Sequence, residues 1–210
     1  SSVRQGVKGQ TKCSITSAAT VASKLAGRRY RSACAASVMC SYEKETEMKV
    51  SLFNPSYTQQ VIELFTKVFS ASENESEGRV IGNLVANLIT TTKPEDLIGF
   101  VAISNEKIVG CIFFSRFVVP GNQVAFILSP VAIATGEQGT GIGQKLISYG
   151  LAHLKALKVT LVFTYGDPNY YAKTGFSQIS ESILKAPFEL TQPEGWLAQS
   201  LDGKPVKAMP

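Results

Sequence analysis

Three glycines at alternate positions, Gly139, Gly141 and Gly143, constrain this chain more than any other feature. Before them runs Val124 to Ala134, an apolar, β-prone stretch. After them, Gln144 to Lys158 carries Leu146, Ile147, Gly150, Leu154 and Leu157 at helical spacing. The order strand, glycine-rich turn, helix has a definite physical use. Glycine allows positive φ and close approach to the main chain, and the first helical turn presents unpaired N–H groups at the positive end of the helix dipole. Phosphate or pyrophosphate is the natural guest. The spacing is not the dinucleotide pattern G-x-G-x-x-G, and no Gly-Lys-Ser/Thr follows as a nucleotide P-loop requires.

The elements upstream read in order. Lys49 to Phe53 alternates as a short strand. Asn54 offers an N-cap with Pro55 at the first helical position, and Val61, Ile62, Leu64, Phe65, Val68 and Phe69 mark a first helix ending near Ser70. A polar, acidic loop is expected over Ser72 to Gly78, then a second amphipathic helix through Val80, Ile81, Leu84, Val85 and Leu88. Leu97 to Ser104 and Lys107 to Val119 read as strands joined by a hairpin at Asn105-Glu106, and Pro120-Gly121-Asn122 turns the chain into the central strand. Downstream of the glycines, Val159 to Tyr165 is a strand and Asp167-Pro168 opens a short helix that Gly175 ends. Phe176 to Ile179, Ile183 to Leu190 and Trp196 to Leu201 supply the last strands.

With 44% hydrophobic and 18% charged residues, the chain can bury one sizeable core, and no apolar run approaches the roughly 20 residues needed to span a bilayer. The charge is uneven. Residues 1 to 47 hold eight Lys/Arg against three acids, whereas Met48 to Pro210 holds thirteen of each. A neutral main domain speaks against nucleic acid as its partner. Residues 1 to 42 lack acids and carry the basic cluster Arg28-Arg29-Tyr30-Arg31; this composition fits a translated leader, a cloning scar, a transit peptide or a functional basic arm, with Met48 a sensible first residue of the domain. Of the four cysteines, Cys13, Cys34 and Cys40 fall in that extension. Cys111 sits in an apolar strand as a buried hydrophobe, and no metal-site spacing is present. A reducing compartment fits best.

Q-x-x-G-x-G after a strand (Gln138 to Gly143), a helix, a second strand and then Tyr171-Ala172-Lys173-Thr174-Gly175-Phe176 resembles the acetyl-CoA site of the GNAT superfamily of N-acyltransferases. Gly166-Asp167-Pro168 with Tyr170-Tyr171, Phe188-Glu189-Leu190 and Gly195-Trp196-Leu197-Ala198 is similar to its bacterial YhbS-like branch. The resemblance covers about Met48 to Gly203. It implies an α/β (α+β) GNAT fold: a mixed, mostly antiparallel sheet, flanked by helices, with a V-shaped splay between the fourth and fifth strands. The first two helices and their loop would wall the acceptor cleft. It implies acetyl transfer from acetyl-CoA, without a metal, to a primary amine of a small molecule or protein by direct attack in a ternary complex. A cytoplasmic location, or organellar import if the extension is a transit peptide, goes with that reading, and a homodimer is left open.

The resemblance also assigns roles. Gln138, Gly139, Thr140, Gly141, Ile142, Gly143 and Gln144 would grip the CoA pyrophosphate, largely through main-chain N–H groups. Val131, Ala132 and Ile133 would bind the pantetheine arm and thioester carbonyl through backbone atoms. Tyr171 matches the tyrosine whose hydroxyl protonates the leaving thiolate; a phenol of ordinary pKa about 10 suits a thiolate of about 8.5. Tyr170 is the neighbour that could take that role instead. The general base stays open among Asp167, which is also an ideal N-cap, Ser129, Glu137 and a water chain. His153, the only histidine, is read as structural or solvent-facing, and Trp196 as a core aromatic. An acyl-CoA-binding sensor or scaffold of the same fold is the alternative to an enzyme.

Overall fold

The computed structural model describes residues 48–121 and 123–209. The extension of residues 1–47, with its basic cluster and three cysteines, lies outside the described residues, as does Asn122 of the expected turn. The elements run β1 (Lys49–Leu52), α1 (Thr58–Ser72), α2 (Glu75–Thr91), β2 (Leu97–Ser104), β3 (Lys107–Phe117), β4 (Ala125–Ile133), α3 (Ile142–Ala156), β5 (Leu161–Tyr165), α4 (Pro168–Tyr171), β6 (Ser177–Gln178) and β7 (Trp196–Ser200). One seven-stranded sheet has the order β1-β2-β3-β4-β5-β7-β6, and every neighbouring pair is antiparallel except β4 with β5. This is the mixed, mostly antiparallel sheet that the resemblance implies. The β2–β3 hairpin turns at Asn105-Glu106 with both residues at positive φ, as a tight two-residue connection requires.

The sheet is covered on both faces. On one, α3 lays Leu146, Ile147, Leu151 and Leu154 against Phe100, Ile112, Phe114, Phe126 and Leu128. Gly150 of α3 is required there, because a Cβ would strike the ring of Phe114. On the other, α1 and α2 bury Val61, Phe65, Phe69, Ile81 and Val85 against Val101, Cys111, Phe113 and Ala132. Cys111 and Trp196 are fully buried, and the Trp196 indole donates to the Leu184 carbonyl at 2.9 Å. His153 lies in the last turn of α3, its ring edge-on to Phe100 with centroids 5.4 Å apart. Cys111 and Trp196 are core residues, as read, and His153 is partly exposed.

Three expectations are corrected. Ser72 to Gly78 is not a loop: α1 runs through Ser72, only Glu73 and Asn74 connect, and α2 begins at Glu75. Asn74 caps it by accepting from the Glu77 N–H at 3.0 Å, and Glu75 and Glu77 occupy the first turn, where acids favour the helix dipole. The acidic residues that read as loop are a helix start. Ile183 to Leu190 forms no strand; Pro187 removes a ladder donor, and the segment packs as an irregular strap with Leu184 and Ala186 buried against Phe163 and Trp196. Leu157 is not part of the apolar stripe, because α3 stops at Ala156 and leaves Leu157 about half exposed.

The feature that positions the site lies within β4. Its first half, Ala125 to Leu128, pairs in parallel with Leu161 to Thr164 of β5, and no strand of β5 lies opposite the rest. On the other side, β3 follows β4 throughout, but two steps of β3 from Ile112 to Phe114 match three of β4 from Leu128 to Val131. That extra residue is a β-bulge at Ser129-Pro130, whose peptide bond is cis. A bulge reverses the alternation of side chains. Phe126 and Leu128 face α3 before it; Val131 and Ile133 face α3 after it, and Ala132 joins the α1–α2 face.

Candidate active site

The carboxyl end of β4 passes through a one-turn helix at Thr135–Glu137 into the glycine turn and α3. Gly139 and Gly141 hold φ of 79° and 87°, left-handed backbone that favours glycine, and a Cβ at either would meet nothing within 4 Å. The space beside them is open. Gly141 is the N-cap of α3. It brings no side chain to the task, whereas Asn74 caps α2 and Asp167 caps α4 with side-chain oxygens. Lys145 is the first N–H of α3 to reach back, donating to the Gly141 carbonyl at 3.0 Å. The N–H groups of Ile142, Gly143 and Gln144 therefore have no intrahelical partner, and the positive end of a 15-residue helix faces the open space. Thr140 fixes the turn by donating to Glu137 O at 2.7 Å.

Gly143 has a different duty. It is buried, and a Cβ there would collide with the Tyr170 hydroxyl, so this glycine admits the protein's own phenol onto the first turn of α3. Gln138 is also engaged within the chain: its Nε2 donates to the Ile133 carbonyl at 3.0 Å, tying the turn to the end of β4. Ladder alternation sorts the three strand candidates. Ala134 N donates to Val109 O, so Ala132, two residues back, also directs its main chain to β3, while Val131 and Ile133 direct theirs to the open side. Gln138 reaching Ile133 O from that side agrees.

The second wall comes from β5 and α4. The Asp167 carboxylate accepts from the Asn169 N–H at 3.0 Å and from its side-chain amide at 3.3 Å, which makes it the cap of α4. Pro168 follows at the first helical position. This turn sets Tyr170 and Tyr171 edge to face, centroids 5.2 Å apart, with Phe176 against Tyr171 at 5.7 Å. Tyr171 is buried on the α3 face; burial pushes its phenol far above the ordinary range, and the Thr164 hydroxyl partly opposes this. Burial also raises Tyr170. Both are neutral proton donors at neutral pH. Ser129 sits at the bulge and Glu137 beside the turn, both part-exposed.

Glycine turn, open β4 edge and tyrosine pair thus converge where β4 parts from β5, at the carboxyl end of the parallel pair. Thr164 was not singled out from the sequence. Its signal is one polar residue inside the apolar run Leu161-Val162-Phe163-Thr164-Tyr165. Elsewhere, a groove of about 370 Å³ lined by Leu52, Phe53, Pro94, Glu95, His153 and Leu157 lies at the opposite end of α3. Among the described residues, no group of three or more His, Cys, Asp or Glu is placed to hold a metal ion, and no helix is long and apolar enough to cross a membrane.

Comparison with known proteins places this geometry. A family model for the acetyltransferase (GNAT) domain matches residues 95–178. The uncharacterized N-acetyltransferase YjhQ of Escherichia coli strain K12 is 30% identical over 143 residues, covering 63% of this chain and 79% of that protein. Among solved structures, the fold is similar to that of the GNAT family N-acetyltransferase YhbS from Escherichia coli, in complex with CoA, with a TM-score of 0.64 at 22% identity over 74% of this chain and 82% of that one. It is also similar to a GNAT family acetyltransferase from Brucella melitensis in complex with acetyl-CoA, with a TM-score of 0.60 at 23% identity over 79% and 92% of the two chains.

Proposed function

We propose that this chain, which belongs to the GNAT family of acetyltransferases, transfers acetyl from acetyl-CoA to a primary amine of a small molecule or protein by direct attack within a ternary complex. The observation that carries the donor assignment is the uncapped amino end of α3, opening beside the unpaired edge of β4. The residues present fit the donor. Open space at Gly139 and Gly141 admits a pyrophosphate to the main-chain N–H groups of Ile142, Gly143 and Gln144, with Gln138 and Thr140 holding the turn. The outward main chain of Val131 and the N–H of Ile133 offer ladder-type hydrogen bonds to an amide-bearing arm, the Ile133 carbonyl being taken by Gln138, while Ala132 packs behind them.

Bound acetyl-CoA supplies the activated acetyl group. As the amine nitrogen bonds to the acetyl carbon and the carbon–sulfur bond breaks, Tyr171 holds the proton that the departing sulfur needs. Its burial keeps that proton on the phenol until an anion forms beside it. The amine loses its own proton to a base or to water. Asp167 is spent on capping α4, so Ser129, Glu137 or a water chain is the better source. That same observation favours a second reading, in which the chain binds acyl-CoA as a sensor and turns over little.

Tyr171→Phe in the full chain, measured by thiol release from acetyl-CoA against a panel of primary amines, separates the two. An enzyme loses turnover and keeps acetyl-CoA affinity, whereas a sensor shows no turnover to lose. The donor itself is tested by thermal shift with acetyl-CoA, free CoA and NAD. Selective, concentration-dependent stabilisation by the CoA species supports the assignment, and equal or absent shifts at saturation overturn it.

A further inference from the structure

The two outer edges of the sheet are finished differently. At one, β6 is only two residues long. At the other, β1 carries a single charge, Lys49, and has none of the prolines, glycines or bulges that ordinarily keep an edge from pairing. The Phe53 N–H donates to Gly99 O at 2.8 Å, which makes these two a hydrogen-bonded pair. By the alternation of an antiparallel ladder, Ser51 and Lys49 also turn their main-chain groups to β2. The N–H and C=O groups of Val50 and Leu52 therefore point away from the sheet, where no strand of this chain lies beyond them among the described residues.

The side chains at this edge are equally incomplete. Val50 packs on the α3 face and Phe53 on the α1–α2 face, so Leu52 shares the first face and Ser51 the second. Ser51 Oγ is buried and makes no hydrogen bond among the described residues. Of the six large hydrophobic side chains that stand exposed among those residues, three gather here: Leu52, Tyr149 and Leu157. Leu52 is opposite Phe100 in the ladder, the Phe100 ring meets those of Tyr149 and His153, and Leu157 lines the same groove as Leu52 and His153.

We infer that β1 pairs with β1 of a second copy of this chain, antiparallel about a two-fold axis at Ser51, joining the two sheets into one. In that register Val50 of each copy faces Leu52 of the other, and every outward main-chain group of the two residues finds a partner. The two Ser51 side chains stand opposite each other with Cβ atoms about 4.5–5.5 Å apart, so each hydroxyl gains the partner that one copy lacks. The same register sets Lys49 of the second copy against Phe53. Phe53 and Glu95 line one groove, so the lysine stem lies over the ring and its ammonium reaches Glu95. Neither Lys49 nor Glu95 has an ion-pair partner within its own chain among the described residues. The contact is isologous, so each of these interactions is made twice. With the axis normal to the sheet, both α3 helices lie on one face, and Leu52, Tyr149 and Leu157 of the two copies come side by side. The interface is at the end of α3 away from the glycine turn, and it stands apart from the acetyl-transfer reading.

Sedimentation equilibrium of the full-length protein should show a monomer–dimer equilibrium. Leu52→Pro deletes an outward donor that a single copy does not use, so it should dissociate the dimer and leave the far-ultraviolet circular dichroism unchanged. Lys49→Glu and Glu95→Lys should each weaken dimerisation roughly tenfold, and the two together should restore it. The register is read by cross-linking in a background carrying Cys13→Ser, Cys34→Ser and Cys40→Ser. There Ser51→Cys should link the two copies under mild oxidation, because facing residues of such a pair sit within disulfide reach. Lys49→Cys, about 13 Å along the ladder from its own counterpart, should not. Should Leu52→Pro fail to fold, the charge exchange carries the same test. A wild-type monomer at every concentration overturns the inference; protection of the Val50 and Leu52 amides in that monomer would mean that residues 1–47 take the edge instead. A dimer that survives Leu52→Pro and Lys49→Glu uses another face and overturns it equally, as does linkage through Lys49→Cys in place of Ser51→Cys.

Discussion

The two halves of β4 are built from similar residues and do opposite things. Ala125 to Leu128 is paired on both sides, its side chains shared between the α3 face and the β5–β7 core. Ser129 to Ile133 has β3 on one side and no strand on the other. The change from closed to open falls where β4 carries one extra residue against β3. The bulge reverses which side chains face α3 and turns the outward main-chain groups of Val131 and Ile133 toward the amino end of that helix. A sheet edge exposed inside a fold is a liability that proteins ordinarily cover. Here the open edge, the uncapped helix and the tyrosine pair meet at one point, so the unpaired groups are best understood as reserved for a ligand.

Substitutions that act on only one half sharpen this contrast. The largest effect is expected in the open half from Tyr171→Phe: a fall in kcat on the order of 10²–10⁴-fold with acetyl-CoA affinity kept, read from steady-state thiol release and calorimetric titration. In the closed half, Phe163→Ala removes a fully buried ring stacked on Trp196, centroids 5.5 Å apart. It should cost about 3–5 kcal/mol in urea unfolding and leave acetyl-CoA affinity unchanged in the folded fraction. A specific loss of affinity there would break the comparison.

Gly141→Ala forces a Cβ onto a residue at φ 87°, a strain of about 1–2 kcal/mol. No atom lies near enough to clash, so the strain falls on the turn. Acetyl-CoA affinity should drop roughly tenfold in titration, while thermal stability falls by a few degrees at most. Smaller still is a pH effect beneath the open half. Cys111 stands opposite Ala132, and burial pushes its thiol well up from the ordinary value. The native state keeps that proton and the unfolded chain releases it above roughly pH 8.5, so Cys111 contributes nothing to the pH dependence below that value. Above it, stability falls as pH rises toward the folded pKa, by up to about 1.4 kcal/mol per pH unit. Urea midpoints at pH 8 and pH 10 should differ less in Cys111→Ala than in wild type. The smallest effect belongs to the exposed pair Glu63 and Lys67 on α1, 3.8 Å apart; Lys67→Ala should change stability by under about 0.5 kcal/mol.

The sequence made the donor side legible and left the acceptor side unread. Glycines at 139 and 141 announce a turn with positive φ, and apolar, β-prone runs broken by turn residues mark β2 to β5, because these are local constraints written in neighbouring residues. Gly143 was grouped with its neighbours, yet it answers to Tyr170, which is distant in sequence. The bulge in β4 leaves no periodic signature, since Val131, Ala132 and Ile133 read as plain core whichever way they face. Thr164 was passed over for a similar reason: a lone threonine in a strand is ordinary until its buried hydroxyl is seen donating to Leu128 O. Where acidic residues start α2, polarity alone read as loop, and only the Asn74 cap tells otherwise. The strap through Leu184 and Ala186 matched strand composition, but its backbone bonds go to the Trp196 indole, Ser180 and Met209 rather than to a ladder.

Amide hydrogen exchange of the full-length protein, with and without saturating acetyl-CoA, tests the central claim most directly. Added protection is expected at Val131, Ile133 and Ile142 to Gln144, with Ala125 to Leu128 already slow and unchanged. Unchanged exchange at those open-half amides, or protection centred on the distant groove at Leu52, His153 and Leu157, would contradict it.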